Sequence, residues 1–261
     1  MVSIVILTSK LDHGWLVDQL LDQTYRDFEI LFATEKGIVE AMNNALDRAQ
    51  GEILVRIDDD VDLPKSWLEE LIKPFADPKI GGVTGPTFIP QYLRGNRDSI
   101  IAADNPSPLL KWLFDGEPYA PAKIFKCGSV SYGSNFIEKL ERLDRYEIDH
   151  LEGTNWAMRT ELIREVGGFD EAFDGVAEWF DTDVVYKVKK MGYRLFYNPR
   201  AYLWHMVGKG EHFDERFEGF GRIKNWLRFH VRHSKFHPKM VIWFFLMVGY
   251  FICRKIGSRN G

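Results

Sequence analysis

Asp58, Asp59, Asp60 and Asp62 crowd four carboxylates into five positions of the segment ILVRIDDDVDLPKSWLEE. Each close pair repels by roughly 1 kcal/mol even in water, and by more where solvent is excluded. Such a run persists either as a solvated acidic turn or as a cage around a divalent cation, and its context must decide. Asp58, Asp60, Asp62 and Glu69 imitate the ligand spacing of a calcium-binding EF-hand loop. That reading fails because Leu63, followed by Pro64, stands where the loop needs glycine. The residues ahead of the acids, EILVRI, are β-formers where an EF-hand requires a helix.

A strand that ends in carboxylates and then passes Pro64, a favoured first-turn residue, into a helix describes the carboxyl edge of an α/β sheet. Ligands gather at such edges, and Asp62 is placed to cap the helix. The neighbouring segments fit this setting. Val2 to Leu7, Phe28 to Phe32, Glu52 to Ile57 and Ile80 to Thr84 read as strands. Between them, Trp15 to Leu21, Gly37 to Gln50 and Pro64 to Phe75 carry helical periodicity, so the alternation predicts a mostly parallel sheet. Residues 87 to 150 break the rhythm with scattered Gly, Pro and aromatic residues and resist ordering into elements. Beyond them Val184, Val185, Val188 and Met191 form a helix face that Gly192 closes, and a strand follows from Tyr193 to Tyr197.

At 261 residues, 45% hydrophobic and 28% charged, the chain is of ordinary globular composition. Cys127 and Cys253 lie far apart, which suggests neither a disulfide framework nor a zinc site and favours a reducing compartment. The opening MVSIVILTSK lacks a basic leader and reads as a strand, so a cytosolic catalytic part is expected. Nine of the 34 basic residues follow Glu218, against none of the 38 acidic ones. This tail holds Phe220, Ile223, Leu227 and Val231 at helical spacing among Arg222, Arg228 and Arg232, as on a basic amphipathic helix at an anionic membrane surface. The apolar run Met240 to Cys253 is short of the roughly 20 residues that span a bilayer, which suits a buried or interfacial helix. The acidic remainder disfavours nucleic acid as a partner.

Over about residues 1 to 205 the chain resembles the family 2 inverting glycosyltransferases. The likeness rests on VSIVILTS, GIVEAMNNALDRAQGE, ILVRIDDD, EGTNWAMR, VGGFDEAF, DTDVVYKVKKMGYR and YLWH, in that order. The resemblance implies a GT-A fold: a Rossmann-like, mostly parallel central sheet flanked by helices. Residues 1–86 would form the nucleotide-binding half and 87–218 the acceptor and catalytic half, with 219–261 as a helical, basic-apolar appendage. It further implies transfer of a sugar from a UDP- or GDP-sugar to a hydroxyl, with Mn²⁺ or Mg²⁺ neutralising the leaving diphosphate. The tail and the aromatic segment point to a lipid-linked or cell-surface glycan acceptor, reached from the cytosolic face of a membrane.

By the same resemblance Asp58 and Asp60 would hold the metal, with His205 of YLWH completing the set. Asp58 and Asp59 would also meet the nucleotide sugar, Asp59 pointing apart from its neighbours by strand alternation. Asp181 takes the general-base position, with Glu178 three residues earlier as a competitor and Asp183 as a helix cap. Gly153, Thr154, Asn155 and Trp156 would line a sugar pocket on which Trp179 offers a stacking face, and Arg159 would serve the diphosphate or the framework. The chain departs from the family in two places. The usual acidic, Ser-rich turn after the second strand is shortened to FEILFATEKG, leaving Glu35 and Lys36 to meet the nucleotide base. Thr8 and Ser9 replace a proline-bearing strand end, with Thr8 still facing the nucleotide. A sugar-nucleotide nucleotidyltransferase would need a basic, Gly-rich phosphate loop, which LTSKLDHGW is not. An inactive sugar- or metal-binding module is the other alternative.

Overall fold

The structure is a computed structural model and describes residues 1–8, 14–35, 37–96, 106–131, 133–135, 147–173, 175, 178–207 and 219–257. Three apolar strands form first: β1 (Val2–Leu7), β2 (Phe28–Ala33) and β3 (Ile53–Asp58), with α1 (Gly14–Leu21) and α2 (Ile38–Arg48) between them. Both β1 and β3 are buried over their first five residues, as strands covered on both faces must be. After β3 come the two-residue β4 (Val61–Asp62), α3 (Trp67–Ile72), β5 (Ile80–Thr84) and a second short strand, β6 (Thr87–Phe88). Next are α4 (Pro108–Leu113), β7 (Asn155–Arg159), α5 (Thr160–Glu165), α6 (Phe180–Lys190), β8 (Arg194–Tyr197) and β9 (Leu203–His205). The chain ends in α7 (Gly219–His233) and α8 (Pro238–Gly257).

The central sheet has the order β2-β1-β3-β7-β5-β8. Its neighbours run parallel except β7, which lies antiparallel between β3 and β5. Alternation along the strands divides the apolar residues between two cores. Val5, Leu54 and Trp156 pack with α2, α5 and α6 on one face, and Ile4, Val55 and Ala157 with α1 and α3 on the other. Helices on both faces of a largely parallel sheet make this an α/β fold.

Two local expectations change. The helix after the acidic run starts at Trp67 rather than Pro64, and Asp62 does not cap it. Asp62 instead lies in β4 opposite Trp204 of β9, within a second sheet of order β4-β9-β6. That small sheet carries the end of the chain's last strand back beside the acidic run.

The C-terminal helices lie against the body of the fold. Ile223, Trp226 and Phe229 of α7 are buried, while Phe220, Leu227 and Val231 face outward. Arg222, Arg228 and Arg232, expected among lipid headgroups, turn back onto the protein. They bond the Glu178 carboxylate, the Ala172 carbonyl, and the Asp170 and Asp183 carboxylates. Asp183, in the first turn of α6, is fully buried and is the main latch. It accepts from His233 at 2.8 Å and pairs with Lys187 at 2.8 Å and Arg232 at 3.3 Å. Burial alone would raise its pKa, but bonds from His233 and Lys187 outweigh that and hold it at about 2. His230 completes the junction, with Nε2 2.9 Å from the Gly128 carbonyl, and burial lowers its pKa to about 4. Among the described residues no helix is long and apolar enough to cross a membrane.

These two shifts contribute to the acid response, together with those of Asp115 and Asp170, whose pKa values are also lowered. His230 is neutral in the folded chain, so its share of stability is complete above its ordinary pKa of 6.5 and is lost as pH falls toward 4. Asp183 contributes above 3.8 and its share is lost as pH falls toward 2. Thermal unfolding from pH 7 to pH 2 should therefore show two losses. Asp183→Asn should lower stability at pH 7 by about 3 kcal/mol and reduce the second loss while sparing the first.

Candidate active site

The site forms where β3 and β7 end side by side. Antiparallel pairing sets Ile57 against Asn155, so the turn that precedes β7 sits beside Asp58. The Thr154 hydroxyl donates to Asp58 Oδ2 at 3.0 Å. Gly153 adjoins it, and a Cβ there would lie 3.5 Å from Arg56 Nη1 and 3.7 Å from Asp181 Oδ2, so glycine keeps that space clear.

Arg56 is the centre of the arrangement. Two residues before Asp58 on the same strand face, it is buried, and its Nη2 donates to Asp58 Oδ1 at 3.0 Å. Its Nη1 lies 3.6 Å from Asp181 Oδ2, and its guanidinium sits over the Phe180 ring at 5.7 Å. One cation thus links the acid at the end of β3 to the acid at the head of α6. Asp181 is nearly enclosed, and burial raises its pKa against the opposing charge of Arg56 and the Thr182 N–H, which donates at 2.7 Å. Trp179, just ahead, holds φ at +75°, a left-handed backbone uncommon for a bulky residue and typical of functional sites. Its ring stacks on Phe229 of α7, with centroids 4.7 Å apart.

The second sheet supplies a third ligand. Pairing of β4 with β9 sets His205 opposite Val61. Its Nε2 then stands 3.1 Å from Asp60 Oδ1 and 4.0 Å from Asp58 Oδ2. One donor atom each from Asp58, Asp60 and His205 falls within 4.8 Å of the others. Two carboxylate oxygens and one imidazole nitrogen fit a divalent cation that keeps further positions for water or phosphate oxygens.

The remaining residues singled out in the sequence separate into those at the cleft and those away from it. A cleft of about 530 Å³ is lined by Arg56, Asp58, Gly153, Thr154, Trp179 and Asp181 among others. Its far side is apolar, with Trp226 from α7 and Trp243, Leu246 and Met247 from α8. Glu178 also faces it, paired with Arg222 at 2.9 Å. Asp59 turns from its neighbours and accepts from the Thr8 hydroxyl at 2.6 Å. Glu35 accepts from Asn44 at 3.1 Å through one oxygen, and its other oxygen is buried without a partner among the described residues. Lys36 lies outside the described residues. The placement of Asn155 departs from the expected sugar contact: it is fully buried, and its amide joins Trp67 Nε1, the Pro86 carbonyl and the Ala201 carbonyl. Trp156 is core, and Arg159 braces the carbonyls of Ile80, Phe75 and Asp77.

Sequence reasoning passed over Arg56, Thr87, His150 and Glu152, all of which line the cleft. For Arg56 a signal existed, since a lone cation inside an apolar strand, two residues from an acid, shares that acid's face. Glu152 opens the motif EGTNWAMR, whereas Thr87 and His150 are placed by long-range folding and carry no local signal.

Three side chains able to hold a cation at the strand ends of an α/β sheet, with a separate buried carboxylate lining the same cleft, fit a GT-A glycosyltransferase. The chain belongs to glycosyl transferase family 2, whose profile matches residues 16–167, more than half its length. It is 26% identical over 184 residues to the pre-mycofactocin glycosyltransferases of two Mycobacterium tuberculosis strains, CDC 1551 and H37Rv. That match covers 69% of this chain but only 32% of those relatives. Among solved structures, a mannosyltransferase of Pyrobaculum calidifontis in complex with GDP-Man and Mn²⁺ superposes with a TM-score of 0.56 at 18% identity. The alignment spans 96% of this chain and 69% of that one. S. aureus TarS in complex with UDP-GlcNAc gives 0.50 at 15% identity, over 96% of this chain and 80% of that one. At such identities these two likenesses establish the fold.

Arg56 neutralises two enclosed carboxylates, so Arg56→Met should cost about 3 kcal/mol, roughly 10 °C in melting temperature. Saturating Mn²⁺ should raise the melting temperature of this variant more than that of the wild type, since a bound cation replaces part of the missing charge. Differential scanning fluorimetry with and without Mn²⁺ measures both.

Proposed function

We propose that the protein is a metal-dependent, inverting hexosyltransferase that moves a sugar from a UDP- or GDP-sugar to an acceptor hydroxyl. The observation that carries this reading is the shared cleft, with Asp58 and the cation set at one end and Asp181 beside it through Arg56. Asp58, Asp60 and His205 would hold Mn²⁺ or Mg²⁺, which when bound supplies Lewis-acid neutralisation of the diphosphate. The mixed oxygen and imidazole set favours Mn²⁺ of the two.

In this reading Asp181 takes the proton from the attacking hydroxyl. Its enclosure, which raises its pKa, makes it a stronger base than an exposed carboxylate. Arg56 keeps it ionised and aimed. The Trp179 ring, locked between its left-handed backbone and Phe229, forms a fixed apolar wall to the cleft. Glu178 is a weaker candidate for the base because Arg222 already engages it. At the other end, Thr8, Asp59, Glu35 and Lys36 are assigned to the nucleotide.

Asp181→Asn should reduce nucleotide release from UDP- or GDP-sugars by about 10²- to 10⁴-fold, while Mn²⁺-dependent binding of the free nucleotide is retained. In the wild type the acid limb of the rate should lie above 3.8, because the base must be ionised and its pKa is raised. Full activity in Asp181→Asn with every donor would refute the assignment.

The acceptor in this reading is a lipid-linked or cell-surface glycan, approached at the cytosolic surface of a membrane by residues 219–261. What supports this is the outer face of α8, where Val241, Ile242, Phe245 and Ile252 are exposed in a continuous apolar stripe. Lys224 and Lys235 lie exposed on and just beyond α7. Ile242→Asp with Phe245→Asp should weaken co-sedimentation with phosphatidylserine vesicles by about tenfold. Unchanged sedimentation would remove the membrane from the proposal.

A further inference from the structure

Four residues that line the cleft carry a buried side-chain atom without a partner among the described residues: Arg56 Nε, Arg222 Nε, Thr87 Oγ1 and His150 Nε2. Both guanidiniums are engaged through their other nitrogens, by Asp58 and Glu178, which leaves Thr87 and His150 as the uncharged pair. Thr87 is 4% exposed and His150 5%. Buried polar atoms are almost always hydrogen-bonded, and leaving one unpaired costs about 1–3 kcal/mol. Two such atoms on residues that line one cleft mark a place that is completed by something else.

The donor and acceptor pattern says what that is. His150 Nδ1 lies 3.0 Å from the Leu151 carbonyl, which can only accept, so the proton of the neutral ring sits on Nδ1 and Nε2 offers a bare lone pair. Glu152, also buried and also in the cleft, takes the Ser134 hydroxyl on Oε1 at 2.7 Å. Its backbone N–H is pinned to Thr84 Oγ1 at 3.1 Å, which fixes the carboxylate in place. An imidazole lone pair, a carboxylate and a hydroxyl together attract a ligand with several O–H donors. The carboxylate repels phosphates and other anions. His150 lines the same cleft as Asp181, which places the group on the side where a proton would be taken.

We propose that Thr87, His150 and Glu152 form a subsite for the hydroxyls of a neutral sugar ring on the acceptor, beside the hydroxyl that Asp181 deprotonates. This rests on the glycosyl-transfer reading, and it narrows the acceptor to one that carries a sugar at its reacting end. The apolar wall of Trp243, Leu246 and Met247 in the same cleft receives a hydrophobic aglycone.

The test uses the full chain without metal or donor. Octyl glucoside, galactoside, mannoside and N-acetylglucosaminide are titrated below their critical micelle concentrations, with octyl sulfate as an anionic control. At least one glycoside should bind. Thr87→Val and His150→Phe should each weaken that binding by about tenfold and leave octyl sulfate unaffected. Thr87→Val should melt at or above the wild-type temperature without ligand, because it removes an unpaired buried polar atom. The proposal is overturned if no glycoside of the set binds, or if both variants bind as the wild type does. A fall in melting temperature for the isosteric Thr87→Val also overturns it, because the hydroxyl would then be paired in the free protein. Glycoside binding without any Mn²⁺-dependent release of nucleotide would sink the transferase reading and leave the subsite standing.

Discussion

A single guanidinium between two carboxylates organises this protein. Arg56 is buried at the end of a central strand, where an uncompensated charge would cost several kcal/mol, and Asp58 and Asp181 compensate it from opposite directions. The pairing is reciprocal, since the cation between the two acids offsets their mutual repulsion. The spacing of Asp58 and Asp181 along the cleft is therefore set by one side chain. Both acids belong to well-packed elements, β3 and α6, so the spacing is preorganised rather than assembled when a ligand arrives.

The wall opposite these acids is made by the C-terminal helices. Asp183, two residues after the base candidate, turns to the outer side of α6 and binds His233 and Arg232 of α7. One helical turn thus carries a carboxylate for the cleft and another for the latch that holds the cleft closed. Trp179 joins the two tasks, since its ring lines the cleft and stacks on Phe229 of α7. The arginines of α7, which in sequence suggest a membrane-facing helix, are used to dock it.

The cleft is unequal along its length. Carboxylates and hydroxyls concentrate at the strand ends, while Leu110, Trp243 and Met247 line the part formed by α4 and α8. An amphipathic cleft suits a ligand with a polar reacting end and an apolar body, and the bare outer face of α8 continues the apolar character to the surface. Family membership accounts for the fold and for glycosyl transfer as a class. The contrast within the cleft bears on the acceptor proposed for it.

Much of the framework could be read from the residues alone because it depends on local periodicity. The boundaries of β1, β2, β3, β5 and α2 fall within one or two residues of the positions that strand runs and helical spacing indicate. Asp58 and Asp60 belong to one short segment, so their closeness is a matter of covalent spacing, and the acidic crowding shows it before folding. The rest depends on contacts between distant segments. The antiparallel insertion of β7 sets Gly153 beside Asp58, and the return of β9 against β4 brings His205 to Asp60. Asn155 shows the limit of motif reading, for its amide is consumed by backbone and Trp67 contacts that no spacing announces. Thr87, His150 and Glu152 lie in or beside a stretch without periodicity and share a cleft only because the sheet and C-terminal helices enclose it. Composition and spacing determined β1, β2, β3, β5 and β8, their alternation with helices and the acidic run. Only the tertiary structure decided which side chains meet, since burial and pairing arise from contacts across a hundred residues or more.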